Sequence, residues 1–204
     1  MRRTADTKSK DTKNGDRAEL LCAIAWLLAS PEDMLVKSNQ EDDIKKHIDW
    51  YVYKSNDDYK TITYDVKARR FEKYGKAFSA DHHFIAEINN RQGISGSIYG
   101  KQGFMVHEVQ GAFIWIARQL IVDEVETYVK PFGRKVDNMD AMYGNLYTSN
   151  KYDDGHVLTA FAFSEFKTRK LLIPDELLER QFEYTPEELM EYIVTNKLNV
   201  KRKE

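Results

Sequence analysis

The tightest constraint on the fold is a change of period between Ile44 and Lys67. HIDWYVYK is a run of aromatic and β-branched residues, SNDD is a turn signal, and KTITYDVK then alternates with period two. Ile62, Tyr64 and Val66 fall on one face, and Thr61, Thr63, Asp65 and Lys67 on the other. Two such runs read as a hairpin with one face to bury. Upstream, RAELLCAIAWLLA is apolar over a wide arc and is the natural cover for that face. Asp16 stands just before it with Glu19 three residues on, which predicts a capping box and a helix from about Arg17 to Ala29, stopping near Ser30-Pro31.

Further along, HHFIAEINN reads as a strand and NNRQGISGS as a glycine-containing loop. GFMVHEV and AFIWIA form a second hairpin around Gln110-Gly111. Leu120, Ile121, Val125 and Val129 carry a helical spacing over residues 118–130. Beyond Pro131 the pattern weakens until HVLTAFAFSEF, a strand, while IPDELLERQ and TPEELMEYIVTNKL each begin as helices with proline and acids. The polar residues 1–14 read as a mobile arm, 15–130 as a core, 131–204 as an extension packed on it, and the final KRKE as loose. One helix followed by strands and further helices makes the fold class α/β (α+β), with a mixed central sheet flanked by helices.

Composition excludes several classes. A chain of 204 residues with 42% hydrophobic content has material for a substantial core, and a net charge of −2 gives no global bias toward nucleic acid or membrane. Cys22 is the single cysteine, so neither a disulfide framework nor a cysteine zinc cluster is available within the chain. It lies in an apolar helix and is expected to be buried and inert. The N-terminal residues lack the apolar segment of a signal peptide, and the run Leu20–Ala29 is far short of the ~20 residues a membrane span needs. A cytoplasmic, reducing location is expected, with no membrane partner.

The chemistry-bearing residues concentrate on the first hairpin. At period two, Asp65 and Lys67 project from one face about 7 Å apart. Asp49 begins the preceding strand, and antiparallel pairing brings it beside Asp65. Two converging carboxylates suit Mg2+ or Mn2+, which take hard oxygen ligands and keep several waters. A neighbouring lysine suits a role in orienting a water or stabilising charge that develops on a phosphate. Local charge points the same way: Lys60, Lys67, Arg69, Arg70, Lys73 and Lys76 stand against only Asp65 and Glu72, interleaved with Tyr59, Phe71, Tyr74 and Phe78. Basic residues among aromatics fit a phosphate backbone and stacked bases. Arg91 and Lys101 flank a loop that reads as substrate-facing. Glu87 shares a strand face with His83, Ile85 and Asn89 and is a further metal-facing acid. His82 and His83 point to opposite faces of a strand and are not a chelating pair; His107 and His156 read as structural.

Asp49 followed by Asp65-Val66-Lys67 resembles the motif of the PD-(D/E)xK nuclease superfamily, whose members share the restriction-endonuclease-like fold. The resemblance covers roughly residues 16–130. In that superfamily a helix that often bears a glutamate precedes the first aspartate and then the (D/E)xK strand; Glu19, Asp49, Asp65 and Lys67 occur in that order. His47-Ile48 stands where some members have proline. The resemblance implies a divalent-metal-dependent nuclease with Asp49, Asp65, Glu19 and Glu87 at Mg2+ or Mn2+ and Lys67 at the attacking water. Arg69, Arg70, Lys73, Lys76, Arg91 and Lys101 would be on nucleic acid, DNA ahead of RNA. It also implies a homodimer. The alternative is a nuclease fold that binds nucleic acid or protein without cleaving.

Overall fold

The computed structural model describes residues 5–55, 61–69, 79–89, 95–136, 146–148 and 157–202, with side chains from residue 12 onward and those of Tyr147 and Thr148 excepted. The chain forms two compact units. A sheet unit takes Arg3–Arg69, Lys101–Trp115 and Arg169–Glu204, and a second unit takes Met1–Arg2, Arg70–Gly100 and Ile116–Thr168. This grouping differs from boundaries at residues 14 and 130. The chain leaves the sheet after the first hairpin, returns for the second, and returns again near its end.

The sheet unit begins with α1, Ala5–Ala29. It starts some twelve residues before the expected Arg17, which corrects the helix start and the capping box: Asp16 is inside the helix. The physical reason is cooperativity. Once residues from Arg17 onward are fixed by burial, extending the helix backward adds one hydrogen bond per residue, and the polar run contains no proline. The Arg17 guanidinium also donates to Asn14 Oδ1 at 2.8 and 3.1 Å, bracing that turn.

Strands β1 (Met34–Lys37), β2 (Trp50–Tyr53) and β3 (Thr61–Lys67) form an antiparallel meander, with Leu35 opposite Val52 and Trp50 opposite Tyr64. Between β1 and β2, helix α2 (Gln40–Lys46) is capped by the Asn39 side chain, with acids in its first turn and lysines in its last. His47 then takes a left-handed conformation (φ 52°), which ends α2 and aims the chain at β2. In the other unit, β4 (His83–Asn89) alternates half-buried and buried residues along its length, as its period predicts.

The chain re-enters the sheet with β5 (Phe104–Val109), parallel to β3 with Asp65 opposite Met105. A two-residue turn at Gln110-Gly111 leads into β6 (Ala112–Ala117); Gly111 sits at φ 73°, a region open to glycine. Residues 118–132 are helical throughout as α3 (Arg118–Glu124), a π-helical stretch (Val125–Val129) and α4 (Lys130–Phe132).

The second unit holds a three-stranded sheet in which β8 (Val157–Ala162) pairs antiparallel with both β4 and β7 (Leu146–Thr148). Phe84 lies within 5.6 Å, centroid to centroid, of Phe161, Phe163 and Phe166. Gly96 allows a close chain crossing here, since a Cβ on it would come within 2.0 Å of the Glu87 carbonyl oxygen.

The sheet unit is completed by β9 (Thr168–Leu172), α5 (Asp175–Leu178), α6 (Pro186–Thr195) and β10 (Val200–Arg202). A capping box does occur, at Thr185 and Glu188 of α6. β10 corrects the expectation of a loose terminus, because Val200–Arg202 pairs in parallel with Leu35–Lys37. The strand order is β10-β1-β2-β3-β5-β6-β9, a seven-stranded mixed sheet with helices, as the α/β (α+β) reading requires. Leu21, Ile24, Trp26 and Leu27 of α1 share one core with Leu35, Trp50, Val52, Tyr64, Val66, Phe113 and Trp115 of the strands and Leu189 and Ile193 of α6. The apolar segment 20–27 of α1 is therefore buried along its whole length, against sheet and α6. Cys22 is fully buried in it. Among the described residues, no helix is long and apolar enough to cross a membrane.

Candidate active site

The pairing of β2 with β3 builds the site. The Asp49 N–H donates to the Tyr64 carbonyl at 2.9 Å, and the Ser38 N–H donates to the Asp49 carbonyl at 2.8 Å, so the Asp49 backbone is tied to strands on both sides. One step beyond the pair Trp50–Tyr64, the antiparallel register sets Asp49 against Asp65. β2 begins only at Trp50, and the Asp49 carboxylate takes over as acceptor where the ladder stops: the Val66 N–H donates to its Oδ2 at 2.6 Å. Asp49 and Asp65 are 5% and 4% exposed, so both carboxylates are nearly enclosed.

Lys67 folds back along its own strand face onto Asp65, with Nζ 2.8 Å from Oδ1 and 2.7 Å from Oδ2. The bond to Oδ1 is well directed, whereas the enclosed Oδ2 touches the ammonium without a directed hydrogen bond. Buried carboxylate oxygens are seldom left in that condition. The Lys67 side chain keeps about a third of its surface open.

Glu19, from the middle of α1, forms an ion pair with Lys37 at the end of β1. Its expected role as a helix cap is thereby replaced by a position in this charge cluster. Burial holds the Glu19 carboxyl above the ordinary range despite Lys37, and Asp16 and Asp43 add to the effect. Asp49 is pushed well above its ordinary value, first by burial, then by the Asp65 and Glu19 charges, with Lys67 and the Val66 N–H opposing. Burial works against the Lys37 ammonium, yet Glu19, Asp49 and Asp16 together carry it above its usual value. Three carboxylates and two ammonium groups thus share one field. Cys22 and Tyr64, behind the site in the core, are both raised well above their ordinary values by burial, which makes the thiol inert as expected.

Arg69 follows the Asp65-Val66-Lys67 strand. Its backbone N–H donates to Glu108 Oε2 at 3.0 Å, and its guanidinium lies 5.3 Å from the Phe182 ring centre. Glu108 is the hub of a buried network that sequence reading missed. Both its oxygens take bonds of 2.7 Å from Arg17, and Gln181 reaches it at 3.3 Å while accepting from Gly111. Its only sequence signal is an acid in the otherwise apolar strand FMVHEV. Lys101 is exposed, with its N–H bonded to the Lys46 carbonyl at 2.7 Å. Glu87 belongs to the second unit, on β4 opposite Leu158. Arg70, Lys73, Lys76, Arg91 and His156 lie outside the described residues.

The structure therefore brings together Asp49, Asp65 and Lys67, with Glu19 in their field, and adds Lys37, which the sequence reading passed over. Among the described residues, no three His, Cys, Asp or Glu side chains are drawn together at metal-binding distances. Two carboxylates with an enclosed, poorly satisfied oxygen nevertheless suit Mg2+, which takes one or two carboxylates and otherwise water. No protein-family model, curated protein or solved structure matches the chain.

Proposed function

We propose that the chain is a divalent-metal-dependent nuclease of restriction-endonuclease-like fold that hydrolyses phosphodiester bonds in DNA. The observation that carries this reading is the enclosed pair of carboxylates, Asp49 and Asp65, at adjoining strand ends, with the Lys67 ammonium on Asp65. Burying like charges side by side is unfavourable for a fold and is a common arrangement in a site that receives a cation. The order of a glutamate-bearing helix, a strand beginning after an aspartate, and a strand carrying D-x-K supports the resemblance on which the family reading rests.

In this reading Asp49 and Asp65 hold Mg2+ or Mn2+, with Glu19 in their field. The bound ion would polarise the phosphate and lower the pKa of a water nucleophile. Asp49 is fixed by the Val66 N–H, so its free oxygen keeps one orientation. Lys67 is long enough to move from Asp65 to a water or a phosphate oxygen, where its charge would favour the transition state. Arg69, Arg70, Lys73, Lys76, Arg91 and Lys101 would contact the backbone without reading sequence. A homodimer would align two such sites on opposite strands.

The test is cleavage of plasmid and single-stranded DNA by purified protein with Mg2+ and with EDTA. Cleavage requires Mg2+, and Asp65→Ala lowers it by at least about a hundredfold. Equal cleavage by both proteins would sink the assignment. Salt-sensitive DNA retention without hydrolysis would indicate a nuclease fold kept for binding alone.

A further inference from the structure

Residues 118–132 carry two stripes spaced by four residues. Ile121, Val125 and Val129 are buried, and beside them Leu120, Tyr128 and Phe132 are 39%, 58% and 80% exposed, with half-buried Glu124 between them. On an α-helix a four-residue step drifts by about 40° around the axis. The π-helical stretch Val125–Val129 takes up that drift with its wider turn, so both stripes run nearly along the axis. Single exposed apolar residues are ordinary on a protein surface, whereas three large ones in a row mark an interaction surface.

The row is complementary to its own reversed copy. Asp123 and Glu124 precede Tyr128, and the exposed Arg134 and Lys135 follow it. A two-fold axis passing Tyr128 sets it against the partner's Tyr128 and brings Asp123 and Glu124 beside the partner's Arg134 and Lys135. Phe132 is then covered by the partner's helix at the level of the partner's Glu124. A parallel match would set acid on acid and base on base. The two acids also tell against nucleic acid on this row, since they repel phosphate. We propose that the row is the contact between two copies of the chain, packed antiparallel about Tyr128. It gives the homodimer of the reading above a surface, and it needs neither metal nor DNA to form.

The experiment is sedimentation of the full chain in EDTA, without DNA, over a range of concentrations. Wild type forms a dimer. Phe132→Glu places a charge at a position already open to solvent, keeps its circular dichroism spectrum, and weakens association by at least about tenfold. Ile44→Glu, at an exposed apolar residue of α2, associates as wild type does. Asp123→Lys/Glu124→Lys and Arg134→Glu/Lys135→Glu each set like charges against each other and sediment as monomers, and an equimolar mixture of the two recovers the dimer. Oxidised Tyr128→Cys gives a disulfide-linked dimer, with Cys22 fully buried and out of reach. The proposal is overturned if wild type stays monomeric, if Phe132→Glu associates as wild type does, or if the mixture fails to recover the dimer. A monomeric wild type whose DNA retention falls in Phe132→Glu overturns it in favour of a nucleic-acid platform. Association is read apart from cleavage, so failure of the interface and failure of the metal site are distinguishable.

Discussion

Asp49→Asn should make the protein more stable at neutral pH while destroying its proposed activity. The substitution removes a buried negative charge but keeps an oxygen to accept the Val66 N–H, now bonded at 2.6 Å. Directly opposed cross-strand residues have Cβ atoms about 5 Å apart. Two unit charges at that separation repel by about 3 kcal/mol at an effective dielectric constant of 20. Lys67, on Asp65 at 2.7 Å, offsets part of this, so a net gain of about 1–2 kcal/mol is expected. For a chain of this size that raises the melting temperature by about 2–8 °C.

The pH dependence fixes the sign. Because the folded state raises the Asp49 pKa, it holds a proton that the unfolded chain releases near pH 4. Wild-type stability therefore falls as pH rises through the folded pKa, and the deficit is complete above it. The advantage of Asp49→Asn should be largest there and shrink as pH falls toward about 4. Melting followed by circular dichroism in EDTA, from pH 4 to 8, reads this directly. Asp49→Ala serves as control, since it orphans the Val66 N–H and should lie about 1–3 kcal/mol below Asn. An Asn variant less stable than wild type at pH 7, or an advantage that grows on acidification, would refute the electrostatic reasoning.

Three further outcomes test other parts of the fold. Glu108→Gln leaves the enclosed Arg17 guanidinium without its carboxylate and should cost about 3–5 kcal/mol, read as a lower urea midpoint. Asp33 is held below its ordinary pKa by Lys54 and the Trp26 indole despite its burial, so its stabilisation is present at neutral pH and lost on acidification; the penalty of Asp33→Asn in thermal melts should begin to shrink near about pH 4 and be gone only below the depressed folded pKa. Gly96→Ala places a Cβ within 2.0 Å of the Glu87 carbonyl oxygen, and hydrogen exchange should show lost protection along β4 and β8.

The central hairpin was legible because its signals are local. Alternation puts Asp65 and Lys67 on one face, and the pairing of β2 with β3 carries Asp49 to Asp65. Glu19 was legible as an acid near a helix start and, through the resemblance, as a metal-facing candidate, but its pairing with Lys37 joins α1 to the end of β1, a tertiary contact that no local pattern encodes. β1 and β10 are four and three residues long and end in charged side chains, too short for a period to show. Lys37 was missed for that reason, and Glu108 because a buried strand acid is intelligible only beside Arg17, ninety-one residues away in sequence. Both omissions concern charges whose partners come from other parts of the chain.

The most direct measurement is a crystal soaked in MnCl2, with the ion located by its anomalous scattering and an Asp49→Asn crystal as control. One ion within about 2.2 Å of oxygens from both Asp49 and Asp65, with Lys67 close by and its occupancy lost in the control, is the expected result. Manganese bound elsewhere with the Asp49–Asp65 pair unliganded, or bound equally in the Asp49→Asn crystal, would contradict it.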